Sequence, residues 1–124
     1  MPTPSFLFSI PGPLKAQSTV SDLKDRLDWG EPALTIIDVR SRDAFNSSHI
    51  TGAILMPMDE LVVSVSASLE YERDIYIYGS SDEQAAEAAC KLREVGFQNV
   101  SELTGGLAAW KAANGAIEGA LVAA

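Results

Sequence analysis

The sequence predicts one α/β domain with a central, mostly parallel sheet of about five strands and helices on both faces. The first observation is an alternation of short β-branched runs with helix-like segments of about ten residues, which is typical of βαβ units. The second is the length of 124 residues, which leaves room for one hydrophobic core. The third is a hydrophobic content of 47%, which supplies that core and argues against intrinsic disorder.

Apolar runs and helical spacing define the predicted elements. Short β-branched runs bounded by turn residues predict strands at 34–39, 53–56, 74–78 and 100–103. Apolar residues that recur at helical spacing predict helices at 20–29, 42–46, 59–69, 85–95 and 107–113. Ser18 or Thr19 can cap the first helix, and Gly96 is placed to end the fourth.

The chain divides into an N-terminal arm (residues 1–17), the α/β domain (18–115) and a small apolar tail (116–124). The arm lacks the basic start and the long apolar stretch of an export signal. No apolar run reaches the roughly 18 residues that a membrane span needs. We therefore expect no membrane span and a cytoplasmic protein with a reduced thiol.

Charge and cysteine content exclude several classes of function. Seventeen acidic residues against nine basic ones set a net charge of −8, which disfavours a nucleic-acid partner because it repels phosphates. One cysteine cannot form an internal disulfide, and together with the single His49 it cannot build a zinc site. We expect neither a metal nor a cofactor.

Ligands of open α/β sheets collect beyond the carboxyl ends of the strands. The sequence therefore points to the turn after Val39, the loop after Tyr78 and the turn at Thr104. The loop after Tyr78 is predicted to hold six residues, because the next helix is predicted to start at Ala85. Such a strand-to-helix loop directs backbone N–H groups into one small cup that suits a nucleophile or an anion.

The motifs around these loops resemble the rhodanese-like family. The first half carries IDVR at 37–40, Phe45 and HITGAI at 49–54. The second half carries IYIY at 75–78, the six-residue loop, and LTGGLAAW at 103–110. The resemblance covers residues 18–115 with the family's spacing. It implies a rhodanese-like fold and, in active members, a sulfurtransferase whose loop cysteine carries sulfur as a persulfide.

The loop departs from the active family at the decisive position. Active members place the cysteine first and use basic loop residues to hold the anionic donor. This sequence has Gly79 first and continues Ser80, Ser81, Asp82, Glu83, Gln84 with no lysine or arginine. Glycine has no atom that can carry sulfur, so the loop is interpreted as vestigial. With Asp38, the pair Asp82 and Glu83 is predicted to form an acidic rim.

Three residues of the first motif invite a catalytic role. Asp38 can act as an acid and Arg40 as an anion clamp, but a structural pair that braces the loops is the favoured interpretation. His49 is the lone imidazole, and we expect it to hold a structural turn rather than to act as a base.

Three further residues, Cys90, Ser80 and Ser81, carry groups that can act as nucleophiles. Cys90 is the only thiol and the alternative nucleophile, but alanines on both sides predict that it is buried and packs as a small hydrophobe. Ser80 and Ser81 have no base nearby in sequence, and Ser81 or Asp82 is better explained as a helix cap. Gly79 leaves open a third possibility, a small ligand held by the loop backbone, although Asp82 and Glu83 are expected to occupy those donors.

The resemblance implies that members without the cysteine serve as docking or regulatory modules. The first hypothesis is therefore a catalytically inactive domain that binds a protein partner through the loop and its rim. The acidic composition predicts a partner with a basic surface. The alternative is a divergent sulfurtransferase that uses Cys90, and a phosphatase is the weaker enzyme hypothesis.

Overall fold

The computed structural model describes residues 14–28 and 33–119. The strands are β1 Gln17–Ser18, β2 Leu34–Asp38, β3 His49–Ile50, β4 Ile54–Leu55, β5 Asp74–Tyr78, β6 Val100–Leu103 and β7 Ile117–Glu118. The helices are α1 Val20–Asp28, α2 Arg42–Ser47, α3 Leu61–Ser68, α4 Asp82–Glu94 and α5 Gly106–Ala112. Alternating strands and helices confirm the predicted α/β class.

Five parallel strands form the central sheet in the order β1-β6-β5-β2-β4. Strand β5 pairs with β2 along its whole length, from Asp74 opposite Leu34 to Tyr78 opposite Asp38. The carboxyl ends of these two central strands therefore lie side by side. Strands β3 and β7 form a separate antiparallel pair.

Alternation along the central strands divides the core into two layers. Ile37 of β2 and Ile77 of β5 pack under α3 and α4 with Leu61 and Leu92. The neighbouring positions, such as Tyr78, face the other layer, which Leu23, Phe45 and Trp110 join from α1, α2 and α5. Strands that bury both faces read as continuous apolar runs, which is why β2 and β5 were visible in the sequence.

Side-chain caps set the starts of three helices. Thr19 and Asp22 exchange backbone and side-chain hydrogen bonds at the start of α1, which is a reciprocal capping arrangement. Ser41 accepts from the Ala44 N–H before α2, and Ser81 accepts from the Gln84 N–H before α4. Thr19 and Ser81 were among the caps that the sequence predicted.

Several predicted bounds differ from the structure. Helix α4 begins three residues before the predicted start, because Ser81 caps it and Asp82 opens its first turn. The strand predicted at 53–56 is confined to Ile54–Leu55. Strands β1, β3 and β7 were not predicted; β1 starts within the predicted arm, and β7 lies in the predicted tail. The predicted helix end at 29–32 and residues 1–13 lie outside the described residues.

No helix in the described part of the chain combines the length and the apolar character that crossing a membrane requires.

Candidate functional site

The loops after β2, β5 and β6 meet at one edge of the sheet and border an open cavity of about 410 Å³. The residues that line it come from these loops and from α2 and α5: Arg40, Ala44, Gly79, Ser80, Gly105, Leu107, Ala108 and Lys111. The structure therefore brings together the three turns that the sequence singled out. Leu107, Ala108 and Lys111 were not predicted as site residues. They line the cavity because one face of α5 lies toward the loop, which the sequence alone does not show.

The loop after β5 is shorter than predicted and is closed by the side chain of Gln84 from the first turn of α4. Only Gly79, Ser80 and Ser81 separate β5 from α4. The Ser80 N–H donates to Gln84 Oε1 over 2.7 Å. A Cβ atom built at Gly79 would lie 2.5 Å from the same oxygen and 3.0 Å from Gln84 Cβ. The Gln84 carboxamide thus fills the space where a side chain at position 79 would begin.

Asp82 joins this loop to the glycine turn after β6. Its Oδ1 accepts from the Gly105 N–H over 2.9 Å. Gly105 has φ +81°, a left-handed conformation that favours glycine, and a Cβ there would lie 2.5 Å from Ala109 Cβ. We expected Asp82 and Glu83 to accept hydrogen bonds from the backbone N–H groups of the loop, and this is wrong for the pairs that the structure shows. The Ser80 N–H donates to Gln84, and Asp82 accepts from the Gly105 N–H outside the loop.

Asp38, which is fully buried, and Arg40, which lines the cavity, form an ion pair. The Arg40 Nη2–Asp38 Oδ2 distance is 2.7 Å, and the Arg40 backbone N–H donates to Oδ1 over 2.8 Å. Arg40 also donates to the Ser48 carbonyl and lies 5.5 Å from the centre of the Tyr78 ring. The hydrogen bond to Asp38 raises the pKa of Arg40 against the opposing effect of burial. The bracing role of the pair stays a prediction.

The predicted acidic rim is wrong in one of its three members. Asp38 has no exposed surface, because Arg40 covers its carboxylate. Asp82 and Glu83 are exposed, on the side of α4. Among the described residues that line the cavity, Lys111 and Arg40 carry charge and none carries a carboxylate. The site therefore has an acidic side at α4 and a cationic side at α5.

Tyr78 connects the end of β5 to the turn that contains His49. The buried Tyr78 hydroxyl accepts from the Ile50 N–H over 3.1 Å. Burial, with a further contribution from Asp38, raises the pKa of Tyr78 well above its ordinary value. From the sequence, Tyr78 is recognisable only as the last residue of a strand, because the partner of its hydroxyl lies 28 positions away.

His49 is held away from the cavity. Its Nδ1 donates to the Phe45 carbonyl over 2.8 Å, and its ring stacks on Phe45 at a centroid distance of 3.7 Å. Its Nε2 lies 3.5 Å from Glu118 Oε1 across the β3–β7 pair. These contacts are those of a turn-forming residue. The structural role that the sequence analysis assigned to His49 remains a prediction.

Cys90 is exposed, so the predicted burial is wrong. The buried face of α4 is formed by Ala85, Ala88, Ala89 and Leu92. Cys90 follows Ala85 by five positions, a rotation of about 140° that turns it away from the sheet. Alanines on every side of α4 hid this orientation from the sequence. Cys90 also lies about 12 Å along the helix from Asp82, and it is not among the described residues that line the cavity.

Fold and site together define a small parallel α/β domain whose central strand-to-helix loop faces an open cavity. Known proteins of this class belong to a described family. The family model described as "Rhodanese-like domain" matches residues 19–113. The chain belongs to the rhodanese-like domain family, as its motifs predicted.

Known relatives include both sulfurtransferases and proteins with other names. The solution structure of the rhodanese-like domain of the Anabaena sp. Alr3790 protein is 54% identical with a TM-score of 0.84, covering 89% of this chain and 83% of that one. The thiosulfate sulfurtransferase GlpE of Shewanella oneidensis is 32% identical over 66% of this chain and 80% of its own. The centrosomal protein of 41 kDa from Gallus gallus is 35% identical over 69% of this chain. The aligned part spans 26% of that centrosomal protein.

Proposed function

We propose that this domain does not transfer sulfur through its loop and instead binds a protein partner there as a regulatory module. The proposal rests on one observation, the absence of a side chain at the first position of the loop. Gly79 occupies the first loop position, and Gln84 Oε1 lies where its Cβ would be. A persulfide needs a sulfur atom at this position, and the loop supplies a carboxamide instead.

The described residues supply no base for the serine hydroxyls of the loop. The Ser81 hydroxyl accepts from the Gln84 N–H as the cap of α4. His49 Nδ1 donates to the Phe45 carbonyl, and its Nε2 lies 3.5 Å from Glu118 Oε1. A serine nucleophile needs a base within hydrogen-bond reach, and no such pair lies among the described residues of this loop.

The retained cavity and the surrounding charges support a docking role. The cavity is open to solvent at the exposed Ser80, and α4, which follows this loop, carries the exposed residues Asp82, Glu83 and Glu87. We propose a partner with a basic surface, because the chain carries a net charge of −8. Association should then weaken as salt screens the charges. A cytoplasmic location also belongs to this proposal, and it rests on the single unpaired thiol.

Site-directed photo-cross-linking tests the docking role. A photoreactive residue at Ser80 reports contacts at the loop, while one at Val63 on α3, which is 75% exposed, is the matched surface control. We expect a discrete protein adduct from position 80 in extracts of the source cell. This adduct should be absent from position 63 and lost at high salt. Equal adducts from both positions, or none from position 80 at low salt, would refute docking at this loop.

The alternative function is sulfur transfer through Cys90. Its supporting observations are the exposed thiol and the 32% identity to a thiosulfate sulfurtransferase. In this reaction the Cys90 thiolate attacks the outer sulfur of thiosulfate, the S–S bond breaks and sulfite leaves. The test is intact-mass measurement after incubation with thiosulfate, on the natural chain and on Cys90→Ser. Rapid gain of one sulfur atom that the variant loses would establish this alternative and overturn the proposal of an inactive domain.

A further inference from the structure

The side chain of Gln84 makes an unusual contact for its position in α4. Ser81 is the N-cap and Gln84 is the third residue of the helix, which is the spacing of a capping box. In a capping box the third side chain returns to the N–H of the cap residue itself. Gln84 reaches one residue further and accepts from the Ser80 N–H. Its oxygen therefore lies over the loop, against Gly79, instead of at the helix end.

This contact depends on glycine at position 79. Gln84 Oε1 lies 2.5 Å from the position of a Cβ on residue 79, closer than any side chain there would allow. The glycine and the glutamine are therefore complementary: one removes a side chain from the loop, and the other fills the space and satisfies a loop donor.

We infer that Gln84 is an internal occupant of the loop that keeps small anions away from the Ser80 N–H. An outside anion must break the Ser80–Gln84 hydrogen bond and displace the carboxamide before it can bind the same donor. Without Gln84 the anion would meet a free Ser80 N–H at the cavity that Arg40 and Lys111 also line. Gln84 thus determines ligand specificity: it closes the loop to sulfur-donor anions and leaves the outer surface for other contacts.

The inference goes beyond the proposed function, because it concerns small ligands and holds whether or not a protein docks at the loop. Cross-linking tests the partner, whereas anion titration of the purified chain tests Gln84. One can therefore fail without the other.

Thiosulfate titration followed by the amide NMR signal of Ser80 tests the inference. Gln84→Ala and Gln84→Ser remove the carboxamide by two different short side chains, so that one misfolded variant does not end the test. Glu83→Ala is the matched control, because it removes a negative charge from the same helical turn and leaves Gln84 in place.

We expect both Gln84 variants to show a saturable shift of the Ser80 signal, with an apparent affinity about tenfold above that of the natural chain and a gain larger than the few-fold effect expected from removing the exposed charge in Glu83→Ala. Three results would overturn the inference. They are equal affinity in the natural chain, an equal gain in Glu83→Ala, or no binding by folded Gln84 variants. The last result would mean that the loop has no anion site to close.

Discussion

Restoring a cysteine at position 79 tests how much of the reaction depends on that single atom. In Gly79→Cys the new Cβ displaces Gln84 Oε1 and breaks its hydrogen bond to the Ser80 N–H, a loss of about 1 kcal/mol. Gly79 is not among the glycines at positive φ, so a side chain there is compatible with the backbone. Replacing glycine then restricts the unfolded chain and returns roughly 0.4–1 kcal/mol.

These two effects nearly cancel, so the free energy of unfolding should change by less than about 1 kcal/mol. The variant therefore remains folded, and its activity reports on chemistry. We expect slow transfer of sulfur from thiosulfate to cyanide, because Glu83 and the displaced glutamine oppose the anion. One exposed charge about 6 Å from a dianion contributes only about 1 kcal/mol after screening by water.

The informative comparison is Gly79→Cys against the same variant with Glu83→Lys and Gln84→Ala. We expect the triple variant to be faster, since it reverses a charge and opens the loop. Asp82 is left unchanged because it holds the Gly105 N–H. Equal rates in the single and triple variants, measured at the same ionic strength, would refute the argument that the loop's surroundings oppose the donor.

Two predictions concern the residues around the cavity. Asp38→Asn leaves the largely buried Arg40 guanidinium without its carboxylate, and it should lower the free energy of unfolding in urea by about 3 kcal/mol. The control Asp43→Asn, at an exposed position, should leave this free energy unchanged. Equal values for the two variants would contradict the bracing role. Burial raises the pKa of Tyr78, so the contribution of its neutral hydroxyl is constant below about pH 10 and is lost as the unfolded chain ionises above it. Stability of the natural chain should therefore fall more steeply above about pH 10 than that of Tyr78→Phe, and parallel curves would refute this.

The elements that the sequence predicted well are those whose burial leaves a pattern. Strand β5 was predicted with its observed bounds because both of its faces are covered, and β6 likewise. The motif residues at 37–40 and 103–106 located the loops that surround the cavity. Local composition suffices in these cases, since turns and buried strands are specified by adjacent residues.

The missed features depend on side-chain direction and on contacts between distant residues. A helix rich in alanine leaves its buried face undefined, so Cys90 was placed on the wrong side. The two-residue strands β3 and β7 are too short to show a periodicity in the sequence. They form because the fold brings Ile50 and Ile117 together, although these residues are 67 positions apart. No sequence pattern indicates that the side chain of Gln84 folds back over Gly79.

The β3–β7 pair has a mechanical consequence for the loop. Ile50 lies opposite Ile117 of β7, and its N–H donates to the hydroxyl of Tyr78, one residue before Gly79. The segment 117–118 is therefore connected to the end of β5 through Ile50 and the Tyr78 hydroxyl. A change in the β3–β7 pair would reach the residue before Gly79 through this single hydrogen bond.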